Sequence, residues 1–219
     1  MLNPFSLCAA FVALFTPQNT VNTTQKYTSA KQATHAHCHY NHATKRHIDD
    51  PFVLPAGEDV WFWTPERLNW HDYQGKADYA LDDVAALTSS GIVSWKGCKN
   101  GKIDFEIRAY FDKTQSWVKP EAYTTYHLAH EQGHFDITEI YSRRLDIALK
   151  ERAFVCGEED EFEDFINDFL EDWQRSEKQY DIDSGFSTKP AQQLIWLEKI
   201  RAELARQSIY AHTSPFTEE

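Results

Sequence analysis

His130 and His134 lie four residues apart, with Glu131 beside the first of them, in the pattern His-Glu-x-x-His. In an α-helix, residues four apart project from the same face, so the two imidazoles can share one metal ion at about 2.0 to 2.1 Å. The neighbouring Glu131 carboxylate can take a proton from a metal-activated water, which is the general-base role in zinc-dependent peptide hydrolysis. The spacing therefore predicts a Zn²⁺ site at His130 and His134, with Glu131 as the catalytic base.

Gly133 lies within the same motif. A glycine inside a helix costs about 0.5 to 1 kcal/mol relative to alanine, which indicates that a neighbouring group needs the space of the absent side chain. A chance match on a solvated helix face is the simplest alternative. The helical pattern around the motif and the apolar residues directly after it favour a metal site instead.

The chain after Pro120 has the helical period that such a site requires. It predicts a long helix over residues 124–152, which contains the motif, a second helix over residues 158–179 and a third over residues 190–207. A turn that includes Gly185 is expected between the last two helices.

The chain before Pro120 alternates with a period of two instead. Strands are predicted over residues 60–63, 68–70, 91–98 and 103–111, and a helical turn or another strand over residues 82–89. Asn100-Gly101 is the dipeptide that a type I′ hairpin turn prefers. Strands followed by helices predict an α+β fold, in which an N-terminal antiparallel sheet and its hairpins pack against a C-terminal bundle of about three helices with a zincin-like active helix.

Composition divides the chain into three parts. Residues 1–17 contain an apolar run over residues 5–15, which is typical of a signal peptide and too short to span a bilayer. Residues 18–50 are rich in small polar residues and predict a flexible leader, whose histidine cluster over residues 35–47 can bind metal ions loosely. Residues 51–219 are predicted to form a single metalloprotease domain.

The formal net charge of the chain is −12, and the sequence contains no stripe of Lys and Arg. A duplex-binding surface needs such a stripe to displace counterions, so the composition argues against a nucleic-acid partner. It also argues against stable membrane insertion. The predicted signal peptide predicts an exported protein, periplasmic or secreted, and the His-Glu-x-x-His motif predicts a peptide or protein substrate.

The cysteines agree with export. Removal of a signal peptide would take Cys8 and leave Cys38, Cys98 and Cys156, which allow one disulfide. Cys98 and Cys156 are the favoured pair, because Cys98 ends a predicted strand and Cys156 follows the long helix. In a cytosolic protein, both would be ordinary buried thiols.

Three segments together resemble a bacterial family of secreted zinc-dependent proteases that is catalogued as a domain of unknown function. They are Ser116-Trp117-Val118-Lys119, the segment from His130 through Ile137 with Glu139 and Arg144-Leu145, and Tyr180-Asp181. The resemblance covers residues 59–200 and implies a peptidase that depends on zinc. Family members carry one cysteine in a strand before the helix and another after it, which also implies the pairing of Cys98 with Cys156.

The chain departs from the family at the third metal ligand. Members continue Tyr-Asp with Thr-x-His-Gly, and Phe186 stands here in place of that histidine. Because a catalytic zinc needs three protein ligands, the resemblance implies a substitute from the same region, either Asp181 or Asp183. Glu139 lies about 140° off the ligand face of the helix, whereas His127 lies on that face but would crowd a tetrahedral ion.

The sequence therefore predicts a zinc-dependent hydrolase, specifically a metallopeptidase of the His-Glu-x-x-His type with Asp181 as third ligand. Two alternatives stay open. One is an exported metal-binding protein that keeps the fold without catalysis. The other is a metal-scavenging protein in which the histidine-rich leader carries the function.

Overall fold

The computed structural model describes residues 59–81 and 84–208. The predicted signal peptide, residues 1–17, and the predicted leader, residues 18–50, lie outside the described residues, as do the first residues of the predicted domain.

The described chain consists of short antiparallel sheets followed by three helices. The strands are β1 (Val60–Phe62), β2 (Ala86–Leu87), β3 (Ser90–Lys99), β4 (Lys102–Asp112) and β5 (Trp117–Val118). The helices are α1 (Thr125–Arg152), α2 (Glu159–Ser184) and α3 (Pro190–Arg206). This order confirms the predicted α+β class, with the sheets in the N-terminal part and the three helices at the C-terminal end.

The predicted hairpin is the centre of the larger sheet, whose strand order is β1-β4-β3. Strands β3 and β4 are antiparallel, and their last pair before the turn is Lys99 with Lys102. Asn100 and Gly101 occupy the turn with φ of 53° and 76°, as a type I′ turn requires. Strands β2 and β5 form a separate two-stranded antiparallel sheet, so the strand alternative for residues 82–89 applies at Ala86–Leu87.

One predicted strand and one predicted helix end were wrong for local reasons. Residues 68–70 are not a strand, because Trp70–Asp72 forms a 3-10 helix that Asn69 caps in a reciprocal box with Asp72. The second helix does not end at residue 179. Helix α2 continues to Ser184 and ends at Gly185, which has φ 61° and closes the last turn.

Helix α1 forms the middle layer of the described domain. It begins after Thr124, whose side chain accepts a hydrogen bond from the His127 N–H, and it packs against β3 and β4 as well as against α2 and α3. Every residue from 130 to 140 is buried, although many of them are polar. Since buried polar groups need partners, this segment is where the fold must supply specific contacts.

A disulfide joins Cys98, at the end of β3, to Cys156, in the segment after α1, with their Cα atoms 5.7 Å apart. This is the pair that the sequence favours. The bond ties the hairpin to the end of the helix that carries the motif, and it is compatible with an exported protein. No helix within residues 59–81 and 84–208 is both long and apolar enough to cross a bilayer.

Candidate metal centre

The two motif histidines face helix α2, where they meet Asp181. The Nε2 atoms of His130 and His134 lie 3.3 Å apart. Asp181 Oδ1 lies 3.2 Å from His130 Nε2 and 3.1 Å from His134 Nε2. Three ligand atoms from two helices therefore converge on one point, and two of them belong to the predicted motif.

The spacing of these three atoms fits a small tetrahedral metal ion. Ligand bonds of about 2.0 to 2.1 Å hold neighbouring tetrahedral ligands about 3.3 Å apart, which is close to each edge of this triangle. Among the residues that the structure describes, His130, His134 and Asp181 are the one group of His, Cys, Asp or Glu ligand atoms that could hold a metal ion. Three protein ligands leave a coordination position open, which is the pattern of catalytic rather than structural zinc sites.

The electrostatics of the triad favour a cation. Burial lowers the pKa of His134, but the charges of Asp181 and Glu177 more than compensate and raise it well above its usual range. Burial raises the pKa of the Asp181 carboxyl, whereas the charge of His134 and hydrogen bonds from both histidines bring it well below its usual range. The site thus stabilises positive charge between the buried Glu177 and the partly buried Asp181, which a proton or a metal ion can supply.

Glu177 is a member of the site that sequence reasoning missed. Its Oε2 atom makes a very short hydrogen bond with His134 Nδ1, and its Oε1 atom accepts a hydrogen bond from Trp173 Nε1 at 2.9 Å. Thr138 Oγ1 lies 3.3 Å from Oε1 and 3.0 Å from the carbonyl oxygen of His134. Burial raises the pKa of the Glu177 carboxyl, and the contact with His134 opposes this effect. The signal was its position four residues before Asp181, on the same face of α2.

Tyr180 forms the floor beneath the two imidazoles and explains Gly133. Its ring stacks on His130 with centroids 4.7 Å apart and meets His134 edge-on at 4.9 Å. Its hydroxyl donates to the His130 carbonyl oxygen at 3.2 Å. A Cβ atom on residue 133 would lie 2.5 Å from that hydroxyl oxygen, so only glycine lets the ring approach this closely.

Gly133→Ala is expected to destabilise the protein by about 1 to 3 kcal/mol, although alanine is the better helix former, because the new methyl group must displace Tyr180. Urea unfolding of both proteins measures the difference. The control is the same substitution in a Tyr180→Phe background, where the closest clashing atom is removed and the cost should shrink. A stabilising Gly133→Ala would contradict the assigned role of the ring.

Glu131 is buried, and its carboxylate accepts a hydrogen bond from a buried threonine. Its Oε2 atom accepts a hydrogen bond from Thr88 Oγ1 at 2.7 Å, and Thr88 is bonded in turn to Tyr73 Oη at 2.9 Å. Because a hydroxyl has one hydrogen, donation from Thr88 to Glu131 leaves Tyr73 as the donor to Thr88. Burial and then the charge of Glu131 raise the pKa of the Tyr73 phenol well above its usual range. The phenol therefore keeps the proton that it donates to Thr88.

The other residues considered as third ligand lie outside the triad. The Asp183 carboxylate accepts hydrogen bonds from Gln179 at 2.7 Å and from Trp196 at 3.1 Å. The Glu139 carboxylate accepts one from Arg143 at 2.7 Å, and His127 Nδ1 lies 2.8 Å from Thr124 Oγ1. Asp183 fails because α2 is still helical there, so two residues rotate its side chain about 200° from that of Asp181. Phe186 lies beyond the end of α2 and is half exposed.

Comparisons of the chain with models of protein families, with curated proteins and with solved structures each found no match. The geometry of this site is therefore the basis for a function of the protein.

Proposed function

We propose that this protein is a zinc-dependent hydrolase, specifically an exported metallopeptidase, whose metal is held by His130, His134 and Asp181. The observation that carries the proposal is the convergence of two imidazole Nε2 atoms and one carboxylate oxygen at 3.1 to 3.3 Å from one another. Two histidines and a carboxylate form the ligand set of many zinc peptidases, in which the glutamate beside the first histidine is the general base.

Zinc is the proposed metal because two imidazoles and one carboxylate suit a borderline ion in tetrahedral geometry. A zinc ion bound there supplies Lewis acidity, which polarises a carbonyl group and makes a nearby water more acidic. The disulfide between Cys98 and Cys156 supports an oxidising location and hence export.

Glu131 is the proposed general base, and its surroundings support that role. Glu131 directly follows His130 on α1, and after burial its charge is the largest contribution to the raised pKa of the Tyr180 phenol, whose ring contacts both imidazoles. The Thr88 hydroxyl donates to one carboxylate oxygen at 2.7 Å, which orients the group. In this role Glu131 accepts a proton from the attacking water and returns it to the leaving amine of the peptide.

The proposal is tested by loading the full protein with zinc and measuring both metal content and hydrolysis of an unfolded protein such as reduced casein. We expect one zinc per chain, loss of hydrolysis after treatment with a chelator, and recovery with one equivalent of zinc. His130→Ala is expected to bind no zinc at the triad.

A deletion of residues 18–50 serves as the matched control, because it removes the histidine-rich leader and leaves the triad intact. If zinc stays in His130→Ala and disappears with the deletion, the scavenging alternative is correct. If zinc binds at the triad but no substrate is hydrolysed, the protein is a non-catalytic metal-binding protein.

A further inference from the structure

Glu177 is buried beside the proposed metal centre, yet its oxygens point away from the converging ligand atoms. It lies behind His134 and contacts Nδ1, whereas Nε2 of the same ring faces Asp181 and His130. In the His134 ring, Nδ1 thus contacts the Glu177 carboxylate, and Nε2 faces the other two members of the triad. In neutral imidazole one nitrogen carries the hydrogen and the other carries a lone pair, so the partner of Nδ1 decides which atom can bind a metal.

We propose that Glu177 is a positioning residue of the metal centre, which holds the Nδ1 hydrogen of His134 and thereby directs the Nε2 lone pair toward the ion. This inference rests on the proposed metal site. An ionised carboxylate only accepts hydrogen bonds, so Nδ1 is the donor in this contact and the tautomer of His134 is fixed.

The contacts of the Glu177 carboxylate leave it little freedom to move. Trp173 Nε1 and Thr138 Oγ1 both approach its second oxygen, and the Thr138 hydroxyl oxygen also lies 2.8 Å from Ser90 Oγ on β3. Glu177 is therefore fixed by its own helix and by α1, which is itself tied to the sheet. A carboxylate fixed in this way orients the imidazole plane of His134 as well as its tautomer.

His130 has no equivalent support. Its Nδ1 atom is buried and has no hydrogen-bond partner among the described residues. Stacking on Tyr180 holds the plane of the ring but does not select the tautomer. The two imidazoles are thus held differently, because among the described residues only His134 has a carboxylate at its Nδ1 atom.

Glutamine at position 177 cannot replace these contacts, although it has nearly the same shape. If its oxygen accepts from His134 Nδ1, its NH₂ group faces the N–H of Trp173, and two donors then oppose each other. If the amide turns over, His134 loses its acceptor instead. Either way the buried network is left with an unsatisfied donor, and the preference of His134 for the required tautomer weakens.

The test is the zinc affinity of Glu177→Gln, measured by competition with a chelator, together with the visible spectrum of the protein loaded with Co²⁺. We expect zinc to bind 10- to 100-fold more weakly, as for other partners of metal-bound histidines, and the Co²⁺ absorption bands to change. Unchanged affinity and an unchanged spectrum would overturn the assignment of Glu177.

Glu203→Gln is the matched control, because Glu203 is also a buried glutamate in an ionic network, with Arg144 and Arg206, and it lies outside the triad. It is expected to lose stability while it keeps wild-type zinc affinity. If Glu177→Gln does not fold, Trp173→Phe decides the question, because it removes one donor to Glu177 and keeps an aromatic ring.

Trp173→Phe is expected to weaken zinc binding severalfold, and wild-type affinity in that variant would overturn the proposal. These results are separate from those that test the hydrolase. A wild-type protein that binds no zinc refutes the proposed function, whereas tight zinc binding by both variants refutes only the role of Glu177.

Discussion

Glu131→Gln is expected to lower the hydrolytic rate by about 10²- to 10⁴-fold, which is the usual contribution of a general base, while the protein still binds one zinc per chain. Glutamine has nearly the same shape, and its amide oxygen can still accept the hydrogen bond that Thr88 donates to Glu131. It cannot take a proton from water. The expected loss is therefore in kcat, and the fold and metal content should be unchanged.

The measurement compares casein hydrolysis and zinc content in the two proteins. Glu139→Gln is the matched control, because Glu139 is a buried glutamate on the same helix whose carboxylate is bonded to Arg143, away from the triad. It should keep both activity and zinc. Equal hydrolysis by Glu131→Gln and the wild type would refute the assigned base, and loss of zinc in Glu131→Gln would mean that the carboxylate also supports the metal.

The parts of the fold that the sequence predicts are those whose causes are local. Asn100-Gly101 requires the positive φ values that its turn adopts, so the hairpin could be read from two residues. Helix α1 was likewise predicted almost to its ends, because Thr124 is a good N-cap. The strand predicted at residues 68–70 failed, since the capping contacts between Asn69 and Asp72 outweigh the apolar character of the segment.

The candidate site also combines features that local sequence determines with features that depend on how two helices pack. The spacing of His130 and His134 within one helix determines that they share a face, so sequence alone indicates two ligands. The resemblance to the protease family implies Asp181, and the contact of Asp181 with both imidazoles depends on how α2 docks against α1. The contact of Glu177 with His134 depends on the same docking, which no pattern within either helix specifies.

Gly133 shows how a sequence anomaly can mark a contact without identifying it. A glycine in the middle of a helix indicated that some group needs the space, but the group is the hydroxyl of Tyr180, which is distant in sequence. The same ring stacks on His130, so the glycine is part of the arrangement that brings α2 and its aspartate to the motif.

Arg143→Met is expected to destabilise the protein by about 3 to 5 kcal/mol, because it removes one partner of a buried ion pair. The guanidinium is almost completely buried and donates to Glu139 at 2.7 Å. It also donates to the carbonyl oxygens of Leu204 and Gln207 at 3.3 and 3.2 Å, at the C-terminal end of α3, and lies 4.9 Å from the ring centroid of Trp63. Methionine fills similar space but leaves the carboxylate and two carbonyl groups without this donor.

The loss of stability in Arg143→Met should depend on pH. Burial raises the pKa of Glu139 from its ordinary value of 4.5 to about 7, even though Arg143 opposes the effect. A carboxyl whose pKa is raised by folding keeps a proton that the unfolded chain releases, so its contribution to stability falls as the pH rises from 4.5 toward 7. Without Arg143 that pKa rises further, and the penalty for an ionised Glu139 continues to grow above neutral pH.

Urea unfolding at about pH 5 and pH 8 therefore gives the decisive comparison, with a smaller loss expected for Arg143→Met at the lower pH, where Glu139 is protonated in both proteins. The double variant Arg143→Met with Glu139→Gln removes the titrating group. It should recover part of the stability at pH 8. Compared with Glu139→Gln alone, it should show the same loss at both pH values, because the other contacts of Arg143 do not titrate in this range. A loss below about 1 kcal/mol at pH 8 would place Arg143 among the weak surface pairs and contradict its role as the buried link between α1 and α3.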